Sequence, residues 1–257
     1  MNEYTNKISK LTENVKSPAD ERSYVRDLAA LILEVSREPR MTGILQRWRD
    51  VNSGRIPDRP PVWTRAAGLW RELLPQNSLV CTDNLLRGLE YHFRQTLMRR
   101  DIDDDNPVYD YHKISAIFDV TPDPPYGFEP KRHSLDQEGT AWGYQPALEI
   151  ATDFDRLTVP HYKYNARETD DLQSRHEEIL DGILNVKVTP INGYFSIATS
   201  ICQVAAALRG MEQMMIDMML EPHLIHHLAQ VITEGIINYL NAIEESGILT
   251  PNIDEPM

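Results

Sequence analysis

The segment RPPVWTRAAG, residues 59–68, decides the expected fold of this chain. It begins with a proline-rich turn and continues into residues 62–65, whose apolar and β-prone side chains predict a short buried strand. An open, doubly wound sheet usually follows its first strand with a glycine-rich phosphate loop. The chain contains no G-x-G-x-x-G pattern. The segment therefore favours a barrel over an open sheet.

The flanking sequence alternates between predicted helices and predicted strands. Apolar spacing predicts a helix from about residue 17 to Pro39 and a second one around Ile44, Leu45 and Trp48, followed by helices at residues 84–100, 168–184, 198–220 and 221–246. Further strands are predicted within residues 108–120, at 186–189 and from 248, and residues 121–166 form an irregular insertion with a hairpin near 140–144. This alternation predicts the α/β class with a parallel sheet.

The length of the chain limits how much of a barrel it can contain. A complete (β/α)8 TIM barrel takes about 250 residues, whereas this chain spends 257 residues on two N-terminal helices and three or four strands. We expect a helical extension at residues 1–55, followed at 56–257 by the N-terminal half of a barrel, a partial or truncated (β/α)8 fold. Such a half would leave sheet edges open, so we expect marginal stability or a homo-oligomer.

Composition restricts the classes of partner and the compartment. The chain has 26 basic and 39 acidic residues and a formal net charge of −13, so we expect no nucleic-acid partner. The N-terminus lacks the apolar core of a signal peptide, and no run approaches the roughly 18 apolar residues of a membrane span. Two distant cysteines, Cys81 and Cys202, form no disulfide framework. These features predict a cytoplasmic protein without a membrane partner.

The sequence contains an acidic, a methionine-rich and a histidine-rich cluster, and we predict a structural role for each. The acidic run at residues 101–105 lacks the glycine and glutamate of a calcium loop, and is predicted to be an exposed turn. The methionines of residues 211–219 are predicted to fill the core, with a soft binding surface as the alternative. The histidines at residues 223–227 have no third zinc ligand and are predicted to be exposed, so no metal site is expected in this chain.

Residues 59–68 and the paired helices from LRGME (208–212) to EESG (244–247) resemble the uroporphyrinogen decarboxylase (URO-D) superfamily. The similarity extends from about Arg40 to the end of the chain. It implies a (β/α)8 barrel whose site lies at the carboxyl ends of the strands. It also implies one of two chemistries, which are cofactor-free decarboxylation of uroporphyrinogen in porphyrin biosynthesis, or methyl transfer with a corrinoid (cobalamin) protein and a zinc-activated thiol.

The resemblance assigns roles to individual residues. Arg65 matches an arginine that faces substrate carboxylates, with an ion pair at the barrel mouth as the alternative. Asp119 aligns, after a one-residue gap, with the catalytic aspartate that stabilises charge on the pyrrole nitrogens. An aspartate in this position can equally cap a turn. Three residues near the expected barrel mouth either bind a ligand or cap the loop: Asn192, Tyr194 and Ser196.

Three aromatic residues and two departures complete the set of predictions. Trp63, Trp70 and Trp142 are candidates to line the binding site of a flat substrate, and Trp63 can alternatively belong to the core. Leu69 and Ile201 stand where the decarboxylases have an arginine and a tyrosine, so the departures favour methyl transfer. The alternatives are a decarboxylase acting on a porphyrinogen-like small molecule, or a non-catalytic tetrapyrrole-binding or vestigial half-barrel. The zinc ligands of the methyltransferase branch, a His-x-Cys pair and a later cysteine, have no match here, so zinc is expected only with a further C-terminal half.

Overall fold

A computed structural model describes residues 3–64, 68–100, 102–134, 142–190, 200–251 and 253–256. Within these ranges the chain combines nine α-helices with six short β-strands, which pair into three two-stranded sheets and form no closed barrel. Contacts divide the chain into two compact units. The first unit comprises residues 1–114, 170–187 and 250–257, and the second comprises residues 115–169 and 188–249. None of the described helices has both the length and the apolar character needed to cross a membrane.

The first unit is mainly helical. Its helices are α1 (Glu3–Thr12), α2 (Pro18–Ser36), α3 (Pro39–Asn52), α4 (Trp70–Leu73), α5 (Asn84–Arg100) and most of α6 (Ala166–Leu180). Strands β1 (Tyr111–Ser115) and β6 (Asn185–Thr189) pair with each other. The core lies between α2 and α5, where their apolar stripes are buried: Val25, Leu28, Ile32, Val35, Leu89, Phe93 and Leu97. These stripes confirm the predicted faces of both helices.

Pro39 lies where the helical pattern of α2 ends, and it is also the first residue of α3. The prediction placed Pro39 at the end of a helix, and α2 does end nearby at Ser36. Pro39 itself is the first residue of α3, because the first turn of a helix needs no backbone donor from that position. At the start of α2, Asp20 accepts a hydrogen bond of 2.9 Å from the backbone N–H of Ser17.

The exposed turn predicted for the acidic run is confirmed at Ile102 and Asp103 and is wrong for the two residues that follow. Asp104 and Asp105 are buried, with Asp105 only 1% exposed. The carboxylate of Asp105 accepts two hydrogen bonds from Arg59, at 2.6 and 2.8 Å, and one from Arg47 at 3.0 Å. Its backbone carbonyl accepts the indole N–H of Trp48 at 2.7 Å. The prediction was wrong because arginines distant in sequence neutralise this carboxylate.

The same loop replaces the strand predicted at residues 62–65, and residues 61–64 have no regular structure. The backbone N–H of Val62 donates to the Asp105 carboxylate at 2.8 Å, and that of Thr64 donates to the Asp104 carboxylate at 2.8 Å. Side-chain oxygens thus take donors that a neighbouring strand would otherwise accept. Burial raises the pKa of Asp105, but the hydrogen bonds from Arg59 and Val62 more than offset it, so this pKa is lowered.

The second unit contains two antiparallel ribbons and three helices. Strand β2 (Phe118–Thr121) pairs with β5 (His161–Tyr164), and β3 (Lys131–Ser134) pairs with β4 (Trp142–Gln145). The second ribbon agrees with the hairpin expected near residues 140–144. The helices are α7 (Ile201–Arg209), α8 (Met211–Leu220) and α9 (Pro222–Glu245). Their core is apolar and includes Leu148, Phe154, Val204, Leu208, Leu228 and Ile232.

The single helix predicted at residues 198–220 is wrong, because Gly210 interrupts it. Gly210 has a φ of 79°, and a Cβ at this position would lie 2.9 Å from Cγ of Pro146. Next to it, the buried Arg209 donates to Asp217 at 2.6 Å and to the carbonyl oxygens of Leu148 and Glu149 at 2.7 and 2.8 Å. The break between α7 and α8 is therefore anchored by a buried ion pair.

Helix α9 follows its prediction closely. Leu228, Ile232 and Ile243 are buried as expected, whereas Leu240 is 49% exposed and does not belong to the buried face. Gly247 has a φ of 71°, which suits the predicted C-terminal cap. The strand predicted from residue 248 is not formed, since residues 248–251 have no regular structure.

Three histidine rings of the first unit pack against one another, a contact that was not predicted from the sequence. His112 of β1 lies between His92 of α5 and His176 of α6, with ring centroids 5.3 and 5.4 Å away. Its side chain is buried, and its Nδ1 has no hydrogen-bond partner among the described residues. Burial, reinforced by the two neighbouring imidazoles, lowers the pKa of His112 from 6.5 to about 3. His112 is therefore neutral in the native state near neutral pH.

Asp105→Asn should lower the free energy of unfolding by about 3 kcal/mol, because it leaves buried arginine donors without their anion. The measurement is urea-induced unfolding followed by circular dichroism. The matched control is Asp58→Asn, which removes another partner of Arg47 but whose side chain is 64% exposed. This control should cost at most about 1 kcal/mol. Equal losses in the two variants would contradict the role given to Asp105.

His112 should make the protein less stable as the pH falls from about 6.5 to about 3. In this window the unfolded chain binds a proton on His112 that the native state excludes, so the unfolding free energy rises with pH by up to about 1.4 kcal/mol per unit. The difference in unfolding free energy between the wild type and His112→Phe isolates this contribution. It should vary with pH inside the window and stay constant above it.

The control for this pH series is Val25→Ala, which removes buried apolar contacts in the same unit and no titratable group. Its difference from the wild type should not change with pH across the same window. A constant difference for His112→Phe as well would show that His112 is not a neutral buried base.

Candidate functional site

The β2–β5 ribbon presents one polar face to solvent. Asp119 lies opposite Lys163, and Thr121 lies opposite His161. Side chains alternate along each strand, so these four share the exposed face of the ribbon. The other face is half-buried, and its rings of Phe118 and Tyr162 lie 5.5 and 4.9 Å from that of Tyr239 on α9. We call the exposed side the polar face of the ribbon.

Asn165 orients the carboxylate of Asp119. The side-chain amide of Asn165 donates to Oδ1 of Asp119 at 3.0 Å, while its own oxygen accepts the backbone N–H of Glu168 at 3.0 Å. Its backbone N–H donates to the carbonyl of Ile117 at 2.9 Å. Asn165 therefore caps the N-terminus of α6 and holds Asp119 at the same time. Among the described residues the Asp119 carboxylate accepts no backbone N–H of a turn, and its side chain is exposed.

His161 and Lys163 add a base and a cation to the polar face. The amide nitrogen of Asn238 lies 3.3 Å from Nδ1 of His161 and donates to the carbonyl of Pro160 at 3.0 Å. An amide nitrogen is a donor only, so Nδ1 accepts and the neutral imidazole carries its proton on Nε2. No ion pair joins Lys163 to Asp119, both of which the structure describes. The face can therefore bind a ligand that carries charges of both signs.

The structure describes four of the eight site residues predicted from sequence. Asp119 and Trp142 lie in the second unit, and Trp63 and Trp70 lie in the first. The indole N–H of Trp63 donates to Asn106 at 3.0 Å, and the guanidinium of Arg99 lies 5.6 Å from its ring centre, so Trp63 takes part in packing. Trp70 is half-buried on α4. The remaining four lie outside the described residues: Arg65, Asn192, Tyr194 and Ser196.

Four residues of the polar face were missed by the sequence reasoning: Asn165, His161, Lys163 and Asn238. Two signals could have found the first three. HYKY, residues 161–164, alternates polar and aromatic residues as a half-exposed strand does. Asn165 directly precedes a helical pattern, which is the usual place of a capping asparagine. Nothing local in the sequence connects Asn238 with His161, because the contact joins residues 77 positions apart.

Most methionines of α8 are exposed, so the prediction that they fill the core is wrong. The exposed apolar side chains of this helix, which we call the methionine face, are Met211, Met215, Ile216, Met218, Met219 and Leu220. Met219 is 82% exposed. Of this helix only Asp217 is buried, and it is bound to Arg209. The helix is thus attached by this polar contact and by Met214, which packs against the apolar core, while its other methionines are exposed to solvent.

The histidines of α9 are exposed, as predicted. His223, His226 and His227 all lie on the solvent side, and His227 approaches the carbonyl of Phe154 at 3.3 Å. Throughout the part of the chain that the structure describes, no three His, Cys, Asp or Glu side chains are grouped so that they could hold a metal ion.

Comparison of the chain with protein-family models, with curated proteins and with solved structures gave no match in any of the three. The relationship to the URO-D superfamily therefore stays a prediction from the residues quoted above.

Asn165→Ala should lower the free energy of unfolding by about 1 kcal/mol, because α6 loses its N-terminal cap. Asn165→Ser keeps an oxygen for the backbone N–H of Glu168 without placing a second carboxylate beside Asp119, and should retain most of this stability. Thermal melts of both variants followed by circular dichroism give the comparison. Indistinguishable melts for the alanine variant and the wild type would rule out the capping role.

Proposed function

We propose that this chain is part of a URO-D-superfamily methyltransferase that acts with a corrinoid protein and is built on a partial (β/α)8 barrel. The sequence support is the resemblance at residues 59–68 and 208–247, combined with the departures at Leu69 and Ile201 from the decarboxylase pattern. Among the structural observations, the methionine face of α8 favours methyl transfer over decarboxylation.

The two chemistries place different demands on the protein surface. Methyl transfer with a corrinoid protein needs an area on which a second macromolecule can dock. Decarboxylation of a porphyrinogen needs only a cavity for a small molecule. The methionine face offers several adjacent exposed apolar side chains, with Met215 62% and Met218 57% exposed. Flexible, polarisable methionines suit adaptable protein contacts, and contiguous exposed apolar patches mark interaction sites. This face therefore supports the methyltransferase proposal.

The ligand chemistry is proposed for the polar face of the ribbon. Asp119 would accept hydrogen bonds from, or neutralise, cationic groups of the ligand, and Lys163 would bind its carboxylates. The described residues do not supply a ligand set for the zinc ion that activates the thiol in the methyltransferase branch. No step of the reaction is therefore assigned to zinc in this chain.

A second candidate, porphyrinogen decarboxylation, is supported by the geometry of Asp119. Its carboxylate is exposed and oriented by Asn165 at 3.0 Å, so it could accept hydrogen bonds from pyrrole N–H groups and stabilise their positive charge. A non-catalytic tetrapyrrole-binding protein would use the same contact without turnover.

The methionine face should be required for binding a corrinoid protein. The probe is a recombinant corrinoid-binding domain loaded with methylcobalamin, and its affinity for the purified chain is measured by isothermal titration calorimetry. Met215→Glu combined with Met218→Glu should weaken this binding at least about tenfold, because charges would be buried at the interface. The control is Ile56→Glu, which places a charge on a side chain that is 95% exposed in the first unit and should change nothing.

Two results would contradict the proposal. No binding of the corrinoid domain, together with binding of coproporphyrin that Asp119→Asn weakens, would favour decarboxylation. Binding of the corrinoid domain that the double glutamate variant leaves unchanged would remove the methionine face from the argument and the proposal with it.

A further inference from the structure

A short acidic segment, residues 253–255, is held by side chains that are distant in sequence. All of these residues belong to the first unit. The side-chain amide of Asn52 on α3 donates to the carbonyls of Ile253 and Glu255, at 2.9 and 2.8 Å. The hydroxyl of Tyr109 donates to the carbonyl of Asp254 at 3.1 Å. Three hydrogen bonds therefore recognise the backbone of the segment.

Two ion pairs recognise its acidic side chains. Arg49 on α3 lies 3.3 Å from the carboxylate of Asp254, and Lys113 on β1 pairs with the carboxylate of Glu255. These four side chains therefore bind both the backbone carbonyls and the two successive carboxylates of the segment. A free dicarboxylate would satisfy only the two ion pairs, so the contact set fits an acidic peptide better than a small diacid.

The receptor surface for this segment is rigidly built. Lys113 lies 4.4 Å from the ring centre of Tyr109, whose ring is stacked on that of Tyr111 at 4.9 Å. Lys187 covers the ring of Tyr111 at 3.5 Å. Burial and the nearby carboxylate of Glu255 raise the pKa of Tyr109, so its hydroxyl remains a donor. These contacts hold the cation and the hydroxyl beside the segment.

The segment contributes little to the apolar packing of the unit. Ile253 is 47% exposed, and residues 248–251, which lead to the segment, have no regular structure. Its attachment depends on the polar contacts to Arg49, Asn52, Tyr109 and Lys113. Such an attachment can exchange with an outside ligand of the same chemistry, because few apolar contacts need to be broken.

We propose that Arg49, Asn52, Tyr109 and Lys113 form a binding site for acidic peptides, which the chain's own segment at residues 253–255 occupies in this structure. The partner is a protein that presents two consecutive acidic residues in an exposed loop or tail. The internal segment competes with this partner and so limits its binding. The site is separate from the polar face of the ribbon and does not depend on the proposed function.

The experiment is binding in trans of a fluorescein-labelled peptide, TPNIDEPM, measured by fluorescence anisotropy. The chain carries Asp254→Asn and Glu255→Gln, which keep the shape of the internal segment but weaken its hold on the site. This variant should bind the peptide more tightly than the wild type by about tenfold, since two charged contacts no longer compete. The peptide TPNINQPM, which lacks both carboxylates, should not bind.

A matched pair of lysine substitutions tests the site itself. In the same background, Lys113→Gln should reduce peptide affinity by about tenfold, because the partner of the second carboxylate is lost. Lys10→Gln removes the same charge from an exposed residue of the first unit whose side chain has no contact with the segment in the described chain, and should leave affinity unchanged. Circular dichroism melts establish that both variants are folded.

Two outcomes would overturn the proposal. One is a folded variant that binds neither peptide, which would make the segment an ordinary tertiary contact. The other is equal binding of the acidic and the neutral peptide. If the double variant is unfolded, the labelled peptide is titrated into Asp254→Asn alone, and absence of binding there counts equally against the site.

Discussion

The buried carboxylate of Asp105 is the interaction on which the arrangement of the first unit depends. Removing this charge from water is costly, and the cost is offset by Arg47, by both terminal nitrogens of Arg59 and by the backbone N–H of Val62. Through its carbonyl, the same residue also holds Trp48 of α3. Residues 59–64, which carry the family resemblance, are thus positioned by an ionic contact and not by strand pairing.

Other irregular segments of the chain are held in the same way. The fully buried Glu90 accepts the backbone N–H groups of Val80 and Cys81 and is paired with Arg94. In the second unit, Arg209 binds Asp217 and two backbone carbonyls. In each case a buried charged side chain forms hydrogen bonds with backbone groups of a loop, which have no backbone partner in a helix or a sheet. Apolar stripes align the helices, and buried ions position the connections between them.

The two candidate functional surfaces depend on the same apolar stripes and buried charged groups. The polar face of the ribbon is presented by strands whose opposite side packs on Tyr239, and its carboxylate is oriented by the cap of α6. The methionine face is exposed because α8 is attached through Asp217 and Met214. The first suits a charged small ligand, and the second suits a protein surface. Both lie in the second unit.

The sequence alone determined most of the helices, because apolar residues at helical spacing commit a segment to one buried face. This holds for α2, α5 and α9, whose ends were located to within a few residues. It also singled out Asp119, whose exposure and contact with Asn165 fit a site residue without establishing its role. The hairpin of β3 and β4 was likewise within reach of the local pattern.

Only the tertiary structure decided which charges and which apolar residues are buried. Asp105 looked like part of an exposed turn, because Arg47 and Arg59, which neutralise it, lie more than 40 positions away in the sequence. The methionines of α8 looked like core residues, because helical spacing cannot show that an ion pair turns Asp217 inward instead. The break at Gly210 depends on contact with Pro146, and the partnership of His161 with Asn238 on the folding of α9 against the ribbon. Long-range electrostatic partners leave no local pattern, so the sequence could not specify them.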